Sequence, residues 1–158
     1  MTRAIDIPKA FTPRGGWHGE MPAPILAGCT EPLAEGAPDL RGLWRAVDVT
    51  DAAGNPLPDD HPIRSYVERI EQAGNRVVVT SAGIIHDMYA DGTYENGVND
   101  VLQTDFTTPI SVAATFEDGA LVLRPKDFPG WEVRRWRAGE LLRWRYHTLF
   151  TASLERIG

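Results

Sequence analysis

The sequence predicts an all-β chain: a single antiparallel, up-and-down β-barrel of eight to ten strands, preceded by an irregular, proline-rich N-terminal extension. Three observations lead there. Tight-turn sequences recur at short intervals, at Gln72-Ala73-Gly74-Asn75, Ala90-Asp91-Gly92-Thr93, Glu117-Asp118-Gly119-Ala120 and Arg137-Ala138-Gly139-Glu140. Each sits between runs rich in Val, Ile, Tyr, Trp and Thr, which is the chemistry that hairpins require. No stretch shows a sustained helical period. A meander of so many strands leaves two exposed edges unless it closes, and a small closed barrel has room for its own side chains or for one small ligand.

Taken in order, residues 1–38 carry Pro8, Pro13, Pro22, Pro24, Pro32 and Pro38 together with Gly15-Gly16 and no regular period, so they form an irregular segment. The same segment holds Phe11, Trp17, Met21, Ile25, Leu26 and Leu33, more apolar bulk than a disordered tail carries. It is expected to pack on the barrel or cap one end of it, leaving residues 39–158 as the barrel. The first strand is read over 40–49, and Asp51 to Pro62 is a turn-rich loop. Strands follow over 64–72, 76–82, 84–90, 93–101, 110–116, 120–125 and 131–137. The last run, 140–157, has neither Gly nor Pro but is too long for one strand of a small barrel, so it should bend or split near His147 to Leu149.

Turn parity indicates which side chains point inward. Across the Ala138-Gly139 hairpin, Trp136 is expected opposite Leu141 and Val133 opposite Trp144. One face then reads Trp131, Val133, Arg135, Leu142, Trp144 and Tyr146, while the other carries the complementary charges Glu132 and Arg145. The first face should be interior, which makes Arg135 a guanidinium inside the barrel. The Gly74-Asn75 hairpin puts Tyr66, Glu68, Ile70 and Gln72 on the face of Val77, Val79 and Ser81, so Glu68 is a second candidate interior charge that could pair with Arg135 across the lumen. Around Asp91-Gly92 the choice lies between Ile84, His86, Met88 and Glu95 and the alternative Ile85, Asp87, Tyr89, Tyr94, Asn96 and Val98. The second set is expected to face inward because it holds two tyrosines and two aliphatics, which leaves His86 outside; a bulge at Ala82-Gly83 would invert the assignment.

Bulk properties narrow the function. A 158-residue chain suits one domain. Its net charge of −6 argues against nucleic-acid binding. No run of about 18 apolar residues and no signal-like N-terminus is present, so the expectation is a cytoplasmic protein without a membrane partner. Cys29 is the single cysteine and can form neither an internal disulfide nor a zinc cluster. His18, His61, His86 and His147 are scattered, which gives a metal site no support. No phosphate loop, catalytic serine motif or HExxH occurs.

Gly42-Leu43-Trp44 on the first strand, followed by a hairpin-rich chain of this length, resembles the calycin superfamily: lipocalins, fatty-acid-binding proteins and nitrobindin-like barrels. The resemblance implies that Trp44 closes the base of the barrel. Thr104-Asp105-Phe106 is similar to a lipocalin Thr-Asp-Tyr element, but too many strands follow it for the match to count. The chain also departs from the group's binding signatures. Ala152 and Leu154 stand where fatty-acid-binding proteins carry a carboxylate-clamping Arg-x-Tyr, residues 51–62 replace the two lid helices, and His147 lies too early to match a nitrobindin haem ligand.

The sequence thus leads to a lumen that binds a small hydrophobic, aromatic or polycyclic molecule, anionic if Arg135 recognises a carboxylate or phenolate. Tyr66, Tyr94, Asn96, Trp131, Arg135, Trp144 and Tyr146 are the expected ligand contacts. A cofactor-free lyase, isomerase or cyclase using Asp87 or Glu68 as base and Arg135 as electrostatic stabiliser is the alternative, and a filled structural or interaction barrel is the third reading. No cofactor or metal is expected in any of them, and a homodimer is left open.

Overall fold

The computed structural model describes residues 2–158. Ten strands follow in chain order: β1 (Gly42–Thr50), β2 (Val67–Ala73), β3 (Arg76–Ser81), β4 (Ile84–Tyr89), β5 (Val98–Val101), β6 (Pro109–Glu117), β7 (Ala120–Pro125), β8 (Val133–Ala138), β9 (Leu141–Tyr146) and β10 (Phe150–Arg156). They form one antiparallel sheet in the order β4-β3-β2-β1-β10-β9-β8-β7-β6-β5. Each hairpin therefore pairs strands adjacent in sequence, and the β1–β10 pairing rolls the meander into a nearly closed barrel. The two sheet edges, β4 and β5, meet along a seam without a ladder. Helix among the described residues is limited to 3₁₀ turns at Ala4–Asp6 and Pro62–Ser65.

The predicted architecture holds, with local differences that have physical causes. The long C-terminal run splits where expected: β9 ends at Tyr146, His147 takes a left-handed φ of 51° and β10 starts at Phe150. The β8–β9 register is two residues from the expected one, because a two-residue loop, Gly139-Glu140, places Ala138 opposite Leu141 and Arg135 opposite Trp144. An even slip keeps every side chain on its face. The expected strand over 93–101 is shortened to Val98–Val101. The preceding loop is held together by Asp91, which accepts hydrogen bonds from the Thr93 amide, the Thr93 hydroxyl and the Asn96 amide group. In β1 the pairing with β10 shifts between Ala46 and Asp48; Val47 bulges outward, and Trp44, Ala46 and Val49 all turn into the core.

The base of the barrel is packed solid. Trp44 and Leu40 are fully buried among Ile70, Val77, Leu121, Leu142 and Leu154. The Trp44 indole N–H donates to the Leu40 carbonyl at 2.9 Å, and Gln72 receives the Leu40 amide at 2.6 Å while donating to the Pro38 carbonyl at 3.0 Å. The Arg137 guanidinium lies 5.2 Å from the Trp44 ring centre. Gly42 has φ 146°, and a Cβ there would come within 2.8 Å of Arg156 Nε, so glycine at this position lets the chain enter β1 tightly against the last strand.

The N-terminal extension runs along the outer wall of β2–β4. Ala4, Ile7, Ala10, Trp17, Ile25, Leu26 and Cys29 pack on Ala73, Val78 and Ile85, forming a second apolar cluster outside the sheet. Hydrogen bonds tie it to the wall in both directions: Glu71 accepts the amides of Ile25 and Leu26, and the Trp17 side chain donates its indole N–H to the Ile84 carbonyl. Residues 9–12 also cross the seam. Ala10 donates to Asp87 on β4, whereas Thr12 donates to Asp100 on β5 and Lys9 donates to the Gly97 carbonyl. The strap thereby joins two edges that share no ladder.

Beneath it lies a buried ion pair. Arg76 donates through Nε and Nη2 to both oxygens of Asp87, at 2.9 and 2.6 Å, and its remaining N–H groups reach the carbonyls of Ala4, Ile7 and Pro8. Asp87→Ala removes the carboxylate that balances a buried guanidinium. We expect a loss of about 3 kcal/mol in urea unfolding followed by circular dichroism, the low end for stripping one partner from a buried pair because three carbonyls remain. A loss below about 1 kcal/mol would contradict this account of the strap.

Candidate functional site

Two-residue alternation sends Glu68, Ile70 and Gln72 of β2 inward, and the same alternation on β8 and β9 turns in Val133, Arg135, Leu142, Trp144 and Tyr146. Tyr66, just ahead of β2, stacks on Trp144 with ring centres 4.6 Å apart. Across the lumen Arg135 donates from Nε to Glu68 Oε2 at 3.0 Å and from Nη2 to Oε1 at 3.1 Å. The Tyr66 hydroxyl donates to Glu68 Oε1 at 2.7 Å, and the Arg135 guanidinium lies 4.9 Å from the Trp144 ring centre. Both charges are buried, with Glu68 at 0% exposure and Arg135 at 5%. The bidentate fork, the third hydrogen bond and the indole face together supply the partners that such a pair needs away from water.

Their environments set the ionisation. Burial first, and then the Glu68 charge, push the Tyr66 phenol well above its ordinary range, so it stays protonated and able to donate. Burial opposes the Arg135 charge, but Glu68 and then Tyr66 outweigh it, and the guanidinium stays ionised.

Above this cluster the barrel is hollow. A cavity of about 380 Å³ fills the mouth half, bordered on the loop side by Leu102, Gln103, Thr104, Phe128, Trp131 and Leu149, and its size lies within the range of small-molecule sites. One wall is aromatic. Trp144 meets Tyr146 edge-on at 5.9 Å, Trp131 meets Tyr146 edge-on at 6.4 Å, and Trp131 stacks on His147 at 4.2 Å. The opposite wall carries Val79, Met88 and Val112 with a few polar groups, Ser81, His86 and Gln103. Gln103 donates to the Ser81 hydroxyl at 3.4 Å.

His86 is inside, contrary to expectation, and Asp87 is outside in the ion pair with Arg76. The reason is turn parity. Ser81 pairs with Ile84 across the two-residue Ala82-Gly83 loop, so the inward face of β3 (Val77, Val79, Ser81) continues directly into Ile84, His86 and Met88. The opposite face of β4 is apolar enough to mislead because the strap covers it. Tyr94 and Asn96 are likewise not in the lumen: both lie exposed on the loop between β4 and β5. Of the residues singled out from sequence, the structure groups Tyr66, Trp131, Arg135, Trp144 and Tyr146 around the cavity, with Glu68 directly beneath, while Asp87, Tyr94 and Asn96 lie away from it. Among the described residues the extension contributes none to the cavity lining, and its contacts lie on the wall.

The His86 ring reaches across the seam, with Nε2 3.0 Å from the Val101 carbonyl oxygen on β5. Burial, the largest cause, lowers its pKa below the ordinary 6.5, so the ring is neutral at pH 7. A second, more open groove of about 460 Å³ lies outside the barrel near Asp51, Glu132 and His147. Its Glu132 is already engaged by Arg124, Arg134 and Arg145, and it lacks the enclosed apolar surface of the lumen. Among the described residues, no three His, Cys, Asp or Glu side chains are grouped to hold a metal ion.

No protein-family model matches this chain, and no curated protein does either. Among solved structures it is similar to human cRBP IV, with a TM-score of 0.57 and 14% identity, over 75% of this chain and 98% of that one. At that identity the likeness concerns the fold alone.

Two outcomes follow for the buried groups. Arg135→Leu leaves Glu68 as an unpaired buried carboxylate and should lower stability by about 3–5 kcal/mol, much of it recovered in the Arg135→Leu/Glu68→Gln double variant; a double variant no more stable than the single one would show that the pair is not the cause. For His86, the unfolded chain binds a proton below about pH 6.5 while the folded chain does not until its lower pKa is reached. Stability therefore falls with pH across that window. In unfolding measurements between about pH 7.5 and pH 5, the stability of the wild type relative to His86→Gln should decline, and a constant difference would contradict the lowered pKa.

Proposed function

We propose that this barrel binds a neutral, largely apolar, ring-bearing small molecule in the mouth half of its lumen. The observation that carries the reading is the cavity itself, about 380 Å³ and walled by Trp131, Trp144 and Tyr146. Rigid aromatic walls favour a planar ligand by stacking and edge contacts. The calycin-like fold supports lumenal binding as the general mode.

The charge state of the lumen argues for neutrality. The Nε–Nη2 edge of Arg135 is occupied by the Glu68 carboxylate, which balances the guanidinium's charge, so an anionic ligand would bring a second negative charge to a buried site that is already neutral. The acid–base alternative loses its bases in the same way. Asp87 is on the outer wall, and Glu68 is fully buried beneath the cavity with three donors on its oxygens.

Calorimetric titration with 2-methylnaphthalene and with 2-naphthoate, equal in ring size and different in charge, tests this reading. The hydrocarbon should bind at least about tenfold more tightly than the anion, and Trp131→Ala should weaken it by about 1 kcal/mol, the scale of one aromatic contact. Tighter binding of the naphthoate would return Arg135 to the role of anion receptor, and no binding of either would contradict lumenal recognition.

A further inference from the structure

Resting on the lumenal reading above, we propose that His86 makes the cavity selective for ligands that carry a hydrogen-bond donor, a hydroxyl or ring N–H on an otherwise apolar frame, which donates to His86 Nδ1.

One contact fixes the tautomer of His86. A carbonyl oxygen can only accept, so the 3.0 Å contact between His86 Nε2 and the Val101 carbonyl requires the proton on Nε2. A neutral imidazole with its proton on Nε2 has a bare lone pair on Nδ1. Among the described residues that nitrogen has no hydrogen-bond partner, and the side chain that carries it lines the cavity. The alternation of β4, with Ile84, His86 and Met88 all inward, keeps the ring on the lumen side.

Two of the lumen's polar groups are committed elsewhere, the Tyr66 hydroxyl to Glu68 and the Gln103 amide N–H₂ to Ser81. The facing wall is aromatic and holds the ring system; its buried Trp144 indole N–H has no partner and can only donate, so it does not receive a ligand donor. A ligand hydroxyl carried into this cavity loses its water hydrogen bonds, and the Nδ1 lone pair restores one of them. A ligand whose only polar group is an acceptor, such as an ether or a ketone, meets a lone pair at His86 and gains no hydrogen bond there.

The test compares 2-naphthol with 2-methylnaphthalene, in which a methyl group replaces the hydroxyl at nearly equal size, by calorimetry at about pH 7.5, where His86 is neutral. In the wild type the naphthol should bind about five- to tenfold more tightly, the scale of one net hydrogen bond. His86→Leu should bring the two within about twofold of each other. Because His86 also ties β4 to β5, ¹⁵N NMR of the wild-type imidazole gives a readout that needs no variant. The free protein should show Nδ1 unprotonated and Nε2 protonated, and 2-naphthol, but not 2-methylnaphthalene, should shift the Nδ1 resonance toward the hydrogen-bonded value. Equal affinities in the wild type, a preference that survives His86→Leu, or an Nδ1 resonance indifferent to the naphthol would each overturn the proposal while leaving lumenal binding intact. Failure of both probes to bind would overturn the lumenal reading and this proposal with it.

Discussion

A guanidinium and a carboxylate cannot be left apart inside a barrel, and the Glu68–Arg135 pair organises the interior around that constraint. Glu68 comes from β2 and Arg135 from β8, strands separated in the sheet by β1, β10 and β9, so the pair is a strut across the lumen. Below it the side chains of Trp44, Leu40, Ile70, Leu142 and Leu154 close the base completely. Above it the inward residues diverge and the cavity begins. The strut also consumes the lumen's obvious recognition charge, which is why a polar-looking interior inventory resolves into a neutral site. Tyr66 belongs to both halves of this arrangement: its hydroxyl completes the carboxylate's hydrogen bonds and its ring forms part of the cavity wall against Trp144.

A second constraint acts on the outside. A ten-stranded meander that closes through β1 and β10 still leaves β4 and β5 as edges, and exposed edges are a liability. Here the strap of residues 9–12 binds one edge through Asp87 and the other through Asp100 and Gly97, while His86 reaches across the same seam from within. The acidic residues on this wall act as acceptors for strap amides, and the buried Arg76 gathers three strap carbonyls. An irregular, proline-broken segment has no ladder of its own, so its peptide groups must be satisfied by the wall it covers, through side chains there and, at Trp17 and Ala34, through the Gly83 and Gly74 carbonyls.

Much of this was legible in the sequence, and the misreadings share one cause. Gly-containing turns at regular spacing gave away the meander, and the excessive length of 140–157 gave away its break at His147. The inward set on β8 and β9 could be read although the register was displaced, because a displacement of two residues preserves the face. The β4 assignment failed because it weighed apolar content in place of parity. The β3 face carrying Val77, Val79 and Ser81 passes through a two-residue turn directly to Ile84, His86 and Met88, and following that parity would have brought His86 into the lumen and sent Asp87 out. The apolar content of the other face, Ile85 with Tyr89, reflects burial under the strap, a layer that hydrophobic alternation cannot distinguish from a core. Tyr94 and Asn96 were drawn inward by the same strand assignment. The Asp91 loop that holds them in solvent rests on side-chain hydrogen bonds among Asp91, Thr93 and Asn96, which periodicity does not register.

The central claim is that the barrel is divided by an intact ion pair into a packed base and a hollow, ligand-accepting mouth. A crystal structure of the protein soaked with 2-methylnaphthalene tests it most directly. The account predicts electron density for the ring system against Trp131 and Tyr146, with Glu68 and Arg135 still joined beneath it through both hydrogen bonds. A ligand lodged at the base near Trp44, or bound in the lumen with the pair broken and Arg135 turned away from Glu68, would contradict it.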